Sequence, residues 1–122
     1  MPRTILEEAR LHPAIRELVA NLNADIVHNV QAAATSNPVL VVGMAGNPHV
    51  RRARKALDAS GIAYQYLGFG SYLGGWRRRN ALKMWTGWPT FPMVFVKGVL
   101  VGGGREIEAL IASGELKRTL GE

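Results

Sequence analysis

The chain has no cysteine among its 122 residues. Disulfide bonds, thiolate metal sites and catalysis by a protein thiol are therefore excluded for this chain. Long hydrophobic runs are also absent, since residues 38–44 and 91–96 are far shorter than the ~20 residues that a membrane-spanning helix needs. Glu7 and Glu8 lie where a signal peptide would be apolar. We therefore expect a soluble, cytoplasmic protein without a membrane partner.

Acidic residues are scarce in the middle of the chain. The sequence has 15 Lys+Arg against 9 Asp+Glu, a net charge of +6, but residues 26–105 contain ten basic residues and a single acid, Asp58. A surface of this kind attracts anions. The sign of the charge alone leaves small anions, acidic proteins and nucleic acid open as partners.

Apolar periodicity predicts an α/β domain. One interrupted helix or two consecutive amphipathic helices are expected from Pro13 to Ser36, packed on the same domain, with Asp25 as a cap inside them. A continuous apolar run then predicts a doubly buried strand, and Asn47 with Pro48 is typical of a helix start. The later elements are expected as a strand at 62–67, a loop at 68–75, a helix at 76–85, hairpin strands at 93–96 and 99–101, a helix after Gly104 and a last turn at 115–120. This order predicts a mixed four-stranded sheet flanked by helices.

The same order, together with four short motifs, resembles the glutaredoxins. The motifs are Trp88-Pro89-Thr90-Phe91-Pro92, Lys97-Gly98, Val101-Gly102-Gly103 and Ser113-Gly114-Glu115-Leu116. The resemblance covers roughly residues 22–120 and is greatest to the monothiol branch, whose active site reads Cys-Gly-Phe-Ser. It implies a thioredoxin-like fold, with Pro92 as the cis proline of the site. Residues 22–122 would form the glutaredoxin-like domain, and residues 1–21 an N-terminal helical extension.

The resemblance places the four-residue active site on Asn47, Pro48, His49 and Val50. Asn47 lies where the family has its nucleophilic cysteine, so no catalytic residue is assigned. Thiol–disulfide exchange is not expected of this chain. An iron–sulfur cluster is not expected either, because the family binds it through that same cysteine together with glutathione. No metal is predicted, since His12, His28 and His49 have no ligand spacing.

A glutathione or peptide groove is still implied by the resemblance. Its members would be Asn47, His49, Arg79, Thr90, Phe91, Pro92, Gly103, Gly104 and Arg105. Arg79 matches a family arginine that binds a carboxylate, and the backbone of Phe91 can pair with an extended ligand. Ala45 replaces a family lysine, and Arg105 replaces the aspartate that meets the γ-glutamyl end, which reverses the charge there. Glutathione therefore stays a candidate ligand.

Three functions remain open at this point. The favoured one is a non-catalytic binding or regulatory module for a small anionic or peptide-like ligand. The second is an enzyme in which bound glutathione supplies the thiol, with Asn47 stabilising the thiolate. The third is a basic surface for an acidic protein, formed by residues 51–55 and 77–79 on either side of one groove. Nucleic acid would also fit interleaved basic and aromatic residues, but the sequence has no recognised motif for it.

Overall fold

A four-stranded mixed sheet forms the centre of the fold. The computed structural model describes residues 2–121, and its sheet has the order β2-β1-β3-β4. The strands are β1 (Val39–Ala45), β2 (Gln65–Ser71), β3 (Met93–Val96) and β4 (Val99–Gly102). β1 pairs in parallel with β2 and antiparallel with β3, and β4 closes a hairpin with β3. The predicted thioredoxin-like fold class is confirmed.

Helices cover both faces of this sheet. They are α1 (Pro13–Asn21), α2 (Ala24–Ser36), α3 (Pro48–Ala59), α4 (Trp76–Thr86), α5 (Gly104–Ala112) and α6 (Glu115–Leu120), and a short 3-10 turn (Glu8–Arg10) precedes them. One apolar cluster joins the sheet to α2 and α4, and a second joins it to α3, α5 and α6. Within residues 2–121, no helix combines the length and apolarity that crossing a bilayer requires.

The apolar run in β1 is continuous because both faces of that strand are buried. Leu40 and Val42 pack in the cluster with α2 and α4, whereas Val39 and Val41 pack in the cluster with α3 and α5. Successive side chains of a strand point to opposite faces, so an alternating polar pattern has no place here. β1 therefore contributes side chains to both apolar clusters.

β2 differs from its predicted span of residues 62–67. It begins at Gln65 and continues through Ser71, so half of the loop predicted at 68–75 is strand. Ile62 is buried in the core, and its N–H bonds back to Leu57, which keeps it in the turn after α3. The glycines at 68 and 70 lower the strand propensity that sequence reasoning depends on. Pairing with β1 overrides that propensity.

The start of α2 also differs from prediction. The residue before the helix is Asn23, in the left-handed conformation with φ of 51°, so Asp25 lies inside the first turn and does not cap it. Asn is one of the few residues that adopts this conformation readily. An acid in the first turn still interacts favourably with the helix dipole.

α1 lies outside the core, and the expectation that it packs on the same domain as α2 stays a prediction. α2 buries Ile26, Val30 and Ala34, but α1 buries no side chain, and Leu18 is 64% exposed. Both faces of the sheet are already covered, so α1 lies outside them and only borders a shallow apolar groove with α2 and α4. The division of the chain at residues 21 and 22 stays a prediction.

Two single substitutions test this difference between the helices. Ile26→Ala should lower the free energy of unfolding by about 2–5 kcal/mol, because it leaves a cavity under α2. Leu18→Ala should change it by less than about 0.5 kcal/mol, because that side chain packs against little. Urea denaturation followed by circular dichroism measures both. A large loss in Leu18→Ala would mean that α1 is part of the core.

Candidate functional site

The start of α3 is where the resemblance places the active site, and Asn47 serves it as a cap. Asn47 Oδ1 accepts hydrogen bonds from the backbone N–H groups of His49 and Val50, at 2.8 and 3.2 Å. Pro48 follows at the first helical position, where a missing N–H costs no hydrogen bond. Asn47 is only 7% exposed. Its amide therefore stabilises the helix start and is withdrawn from the surface.

Replacing Asn47 separates capping from any other role. Asn47→Ala should lower the free energy of unfolding by about 0.5–2 kcal/mol, because two N–H groups lose their acceptor. Asn47→Asp should keep most of the stability, since a carboxylate accepts the same bonds and favours the positive end of the helix. Thermal and urea unfolding of the two variants provide the measurement. Equal losses in both would contradict the capping role.

A groove of about 370 Å³ lies beside this helix start. Three segments border it: the start of α3, the residues that lead into β3, and the start of α5. Its lining residues are His49, Arg52, Trp88, Thr90, Phe91, Pro92, Gly103, Gly104, Arg105, Glu106 and Glu108. Seven of the nine residues predicted for the groove are thus brought together, and Asn47 and Arg79 are not among them. Four further lining residues were not predicted from the sequence: Arg52, Trp88, Glu106 and Glu108.

The segment before β3 gives the groove a backbone wall. The peptide bond between Phe91 and Pro92 is cis, as the resemblance implied. Phe91 is buried in the core, with the Lys83 ammonium 5.7 Å from its ring centroid. Burial of the ring leaves mainly backbone atoms and the exposed Thr90 for a ligand. A backbone wall suits an extended, peptide-like molecule.

The start of α5 forms the opposite wall and needs glycine there. A Cβ on Gly103 would lie 3.1 Å from the carbonyl oxygen of Pro92 and 3.4 Å from Trp88 Nε1. The Gly103 N–H donates to Glu106 Oε1 at 2.8 Å, which caps the helix. Trp88 Nε1 is buried and has no acceptor among residues 2–121. The two walls therefore approach closely because residue 103 has no side chain.

Charges in the groove are mostly balanced within it. Arg52 Nε lies 2.8 Å from one carboxylate oxygen of Glu108, and Arg52 Nη2 donates to the other at 3.2 Å. Glu106 is engaged in the cap of α5. Arg105 is exposed and has no ion-pair partner in the described part of the chain. Among the described residues that line the groove, Arg105 is therefore the cation without a carboxylate partner.

Arg79 does not reach this groove. Its Nη1 donates to the carbonyl oxygens of Phe69 and Gly74, at 3.0 and 2.8 Å, and the residue is only 7% exposed. Gly70 and Gly75 have positive φ, and a Cβ on Gly70 would lie 2.4 Å from the Gly74 oxygen. This tight turn presents carbonyls that need a donor. Arg79 supplies it and so has a structural role in the turn, while the carboxylate site expected at Arg79 stays a prediction.

Loss of the Arg79 guanidinium should loosen the turn. Arg79→Met should lower the free energy of unfolding by about 2–4 kcal/mol, because two carbonyls lose a buried donor. Hydrogen exchange at the amides of Ser71 and Gly74, which bond across the turn, should become faster. Arg77→Met is the matched control, since Arg77 is exposed on the same helix. Indistinguishable behaviour of the two variants would contradict this role.

We expected the basic residues of α3 and α4 to flank one groove, but they do not. α3 packs with α5, and α4 packs with α2, so the two helices bury their apolar residues mainly on different faces of the sheet. Arg78 pairs with Asp25 at 2.7 Å. Arg54 lies 4.0 Å from the ring centroid of Tyr66, and its pKa is raised chiefly by the hydrogen bond it donates to Tyr64. The basic surface is divided.

The histidines do not form a metal site in the described part of the chain. Residues 2–121 contain no group of three or more His, Asp or Glu placed to hold an ion. His12 Nδ1 instead accepts a hydrogen bond from the N–H of Ala14, which caps α1. His49 is exposed at the groove without a second ligand-type side chain that completes a metal site.

Comparison with known proteins agrees with this architecture. The glutaredoxin family profile matches residues 39–101. A glutaredoxin-like protein of Dictyostelium discoideum is 45% identical over 89 residues, which cover 73% of this chain and 72% of that protein. A mitochondrial monothiol glutaredoxin-S4 of rice is 36% identical over 89 residues, covering 70% and 48% respectively. A crystal structure of a buckwheat glutaredoxin–glutathione complex has a TM-score of 0.70 and 26% identity, and the match covers 82% of this chain and 91% of that one. The chain belongs to the glutaredoxin family.

Proposed function

We propose that this chain is a binding module without redox chemistry of its own, and that the groove takes a small anionic, peptide-like ligand such as glutathione. One observation carries the proposal. The groove of about 370 Å³ is kept, while the residue at the reactive position, Asn47, is buried and engaged in capping α3. A site of this kind retains recognition and has no nucleophile.

The two walls of the groove suggest how such a ligand binds. The backbone of Phe91 can pair with the extended part of the ligand. A carboxylate at the other end would lie beside Arg105, because the Gly103 N–H at the start of α5 already donates to Glu106. Arg105 adds a positive side chain there. The ligand would therefore lie along the Phe91–Pro92 segment with one carboxylate towards Arg105. In glutathione this would be the γ-glutamyl end, where an ammonium group lies beside the carboxylate.

The residues present do not fit an iron–sulfur cluster. Such clusters need thiolate ligands, which this chain cannot supply, and the equivalent position holds a neutral amide. The enzyme alternative, in which glutathione brings the thiol, is also poorly supported, since Asn47 does not line the groove. An asparagine amide is neither a base nor a nucleophile. Binding without chemistry is the function that the geometry favours.

Titration with glutathione tests the proposal directly. Backbone amide shifts should move at Thr90, Phe91, Gly103, Gly104 and Arg105, because these residues line the groove. Residues on α6 should not move, and they provide the internal reference. An absence of shifts at millimolar glutathione would overturn the glutathione version. The same titration with a short acidic peptide then tests the broader class of ligand.

Arg105 should oppose the ammonium group of glutathione. Arg105→Asp replaces repulsion by attraction at the γ-glutamyl end, so glutathione should bind about 1.4- to fivefold tighter, the range expected for one exposed charge pair. Lys117→Asp is the matched control, because it makes the same charge change on α6. A glutathione analogue without the α-amino group should show the opposite preference and bind best to the unmodified chain. Isothermal titration calorimetry measures all six combinations of the three chains and two ligands, and equal affinities would contradict the role of Arg105.

A further inference from the structure

The turn between β2 and α4 presents large apolar side chains to the outside. We name Tyr72, Leu73 and Trp76 the apolar tip. Their exposed fractions are 69%, 99% and 58%. Leu73 is thus almost as accessible as a side chain can be, although soluble proteins usually cover such groups. Exposed apolar groups that are grouped together mark a contact surface for a protein or a lipid.

The apolar tip is held rigidly by its own turn. Ser71 and Gly74 exchange backbone hydrogen bonds of 3.0 and 3.2 Å, and the Leu73 N–H donates to Ser71 Oγ at 3.1 Å. Arg79 anchors the base of the turn through the carbonyls of Phe69 and Gly74. The buried Arg79 and the hydrogen bonds of the turn therefore hold Leu73 in an exposed position.

Positive charge surrounds the apolar tip. The Arg77 guanidinium lies 5.2 Å from the Trp76 ring centroid and is exposed. No acidic residue occurs in the sequence between Asp58 and Glu106, so the tip and both elements that carry it lack acids of their own. Asp25 pairs with Arg78 on α4, whereas Arg77 has no ion-pair partner within residues 2–121. The tip thus combines an apolar end with a cationic base.

This combination fits the surface of an anionic bilayer. Trp and Tyr favour the headgroup level of a membrane, and a leucine beyond them reaches the acyl chains. Arginine beside them interacts with lipid phosphate and with the negative surface potential. The tip projects outward, whereas a protein partner would have to offer a matching apolar pocket lined with acids. A lipid surface needs no such pocket.

We propose that the apolar tip docks this chain peripherally on an anionic lipid surface. The expectation of no membrane partner rested on the absence of spanning segments. That absence does not bear on peripheral docking through a projecting turn. The proposal is independent of the groove, because none of the three tip residues lines it. Ligand binding in the groove can therefore fail without affecting the docking, and the reverse also holds.

Vesicle co-sedimentation of the full chain tests this. The protein should pellet with vesicles of phosphatidylcholine and phosphatidylserine, and much less with phosphatidylcholine alone. Leu73→Glu should weaken binding about tenfold or more, since burying one leucine side chain is worth at least that factor. Tryptophan emission should shift to shorter wavelength on binding, and Trp76→Phe should remove most of that shift. Failure to pellet with the anionic vesicles would overturn the proposal and leave a protein as the partner of the tip.

Two control variants separate the tip from general adsorption. Val99→Glu makes the same charge change at an exposed apolar position on β4 and should bind as the unmodified chain does. Leu18→Glu makes it on the exposed face of α1 and should also retain binding. Equal loss in all three variants would show plain charge attraction, and selective loss in Leu18→Glu would place the contact on α1. Either result would contradict docking through the tip.

Discussion

The structure depends first on the free N–H groups at the start of α3. Every helix begins with amides that lack an acceptor, and something must satisfy them. A thiolate at such a position is stabilised by the same amides, which is how a helix start lowers the pKa of a cysteine. Here Asn47 Oδ1 takes two of them and is buried in doing so. The feature of the fold that suits a reactive sulfur therefore works in this chain as an ordinary helix cap.

The basic residues of the chain take part in several separate contacts. Arg79 donates hydrogen bonds inside the turn after β2, Arg78 forms an ion pair with Asp25, and Arg52 forms one with Glu108. Arg54 stacks on Tyr66 at the outer face of α3. The net charge of +6 is therefore a poor description of any one surface. Arg105 at the groove, Arg77 at the apolar tip, and Arg51 and Lys55 on α3 are among the exposed cations that have no ion-pair partner within residues 2–121.

The parts that were predictable from sequence are those specified by local chemistry. The run at Val39–Val42 predicts a doubly buried strand, Asn47 with Pro48 predicts a helix start, and Lys97 with Gly98 predicts the hairpin, all of which the structure has. The extent of β2 and the role of Arg79 depend on contacts with other elements, which no local pattern reveals. The Arg52–Glu108 pair joins residues 56 positions apart. Glu106 had a usable signal, since it lies three residues after Gly103, the residue that caps the start of α5.

The groove and the apolar tip meet at the same turn of the chain. Gly46 has a φ of 78° and lies between the end of β1 and Asn47. A Cβ placed on Gly46 would be 3.8 Å from the Tyr72 ring, so the tip packs beside the start of α3. His49, two residues after Asn47, already belongs to the groove. This helix start therefore lies between the groove and the apolar tip, and its stability rests on the two hydrogen bonds that Asn47 accepts.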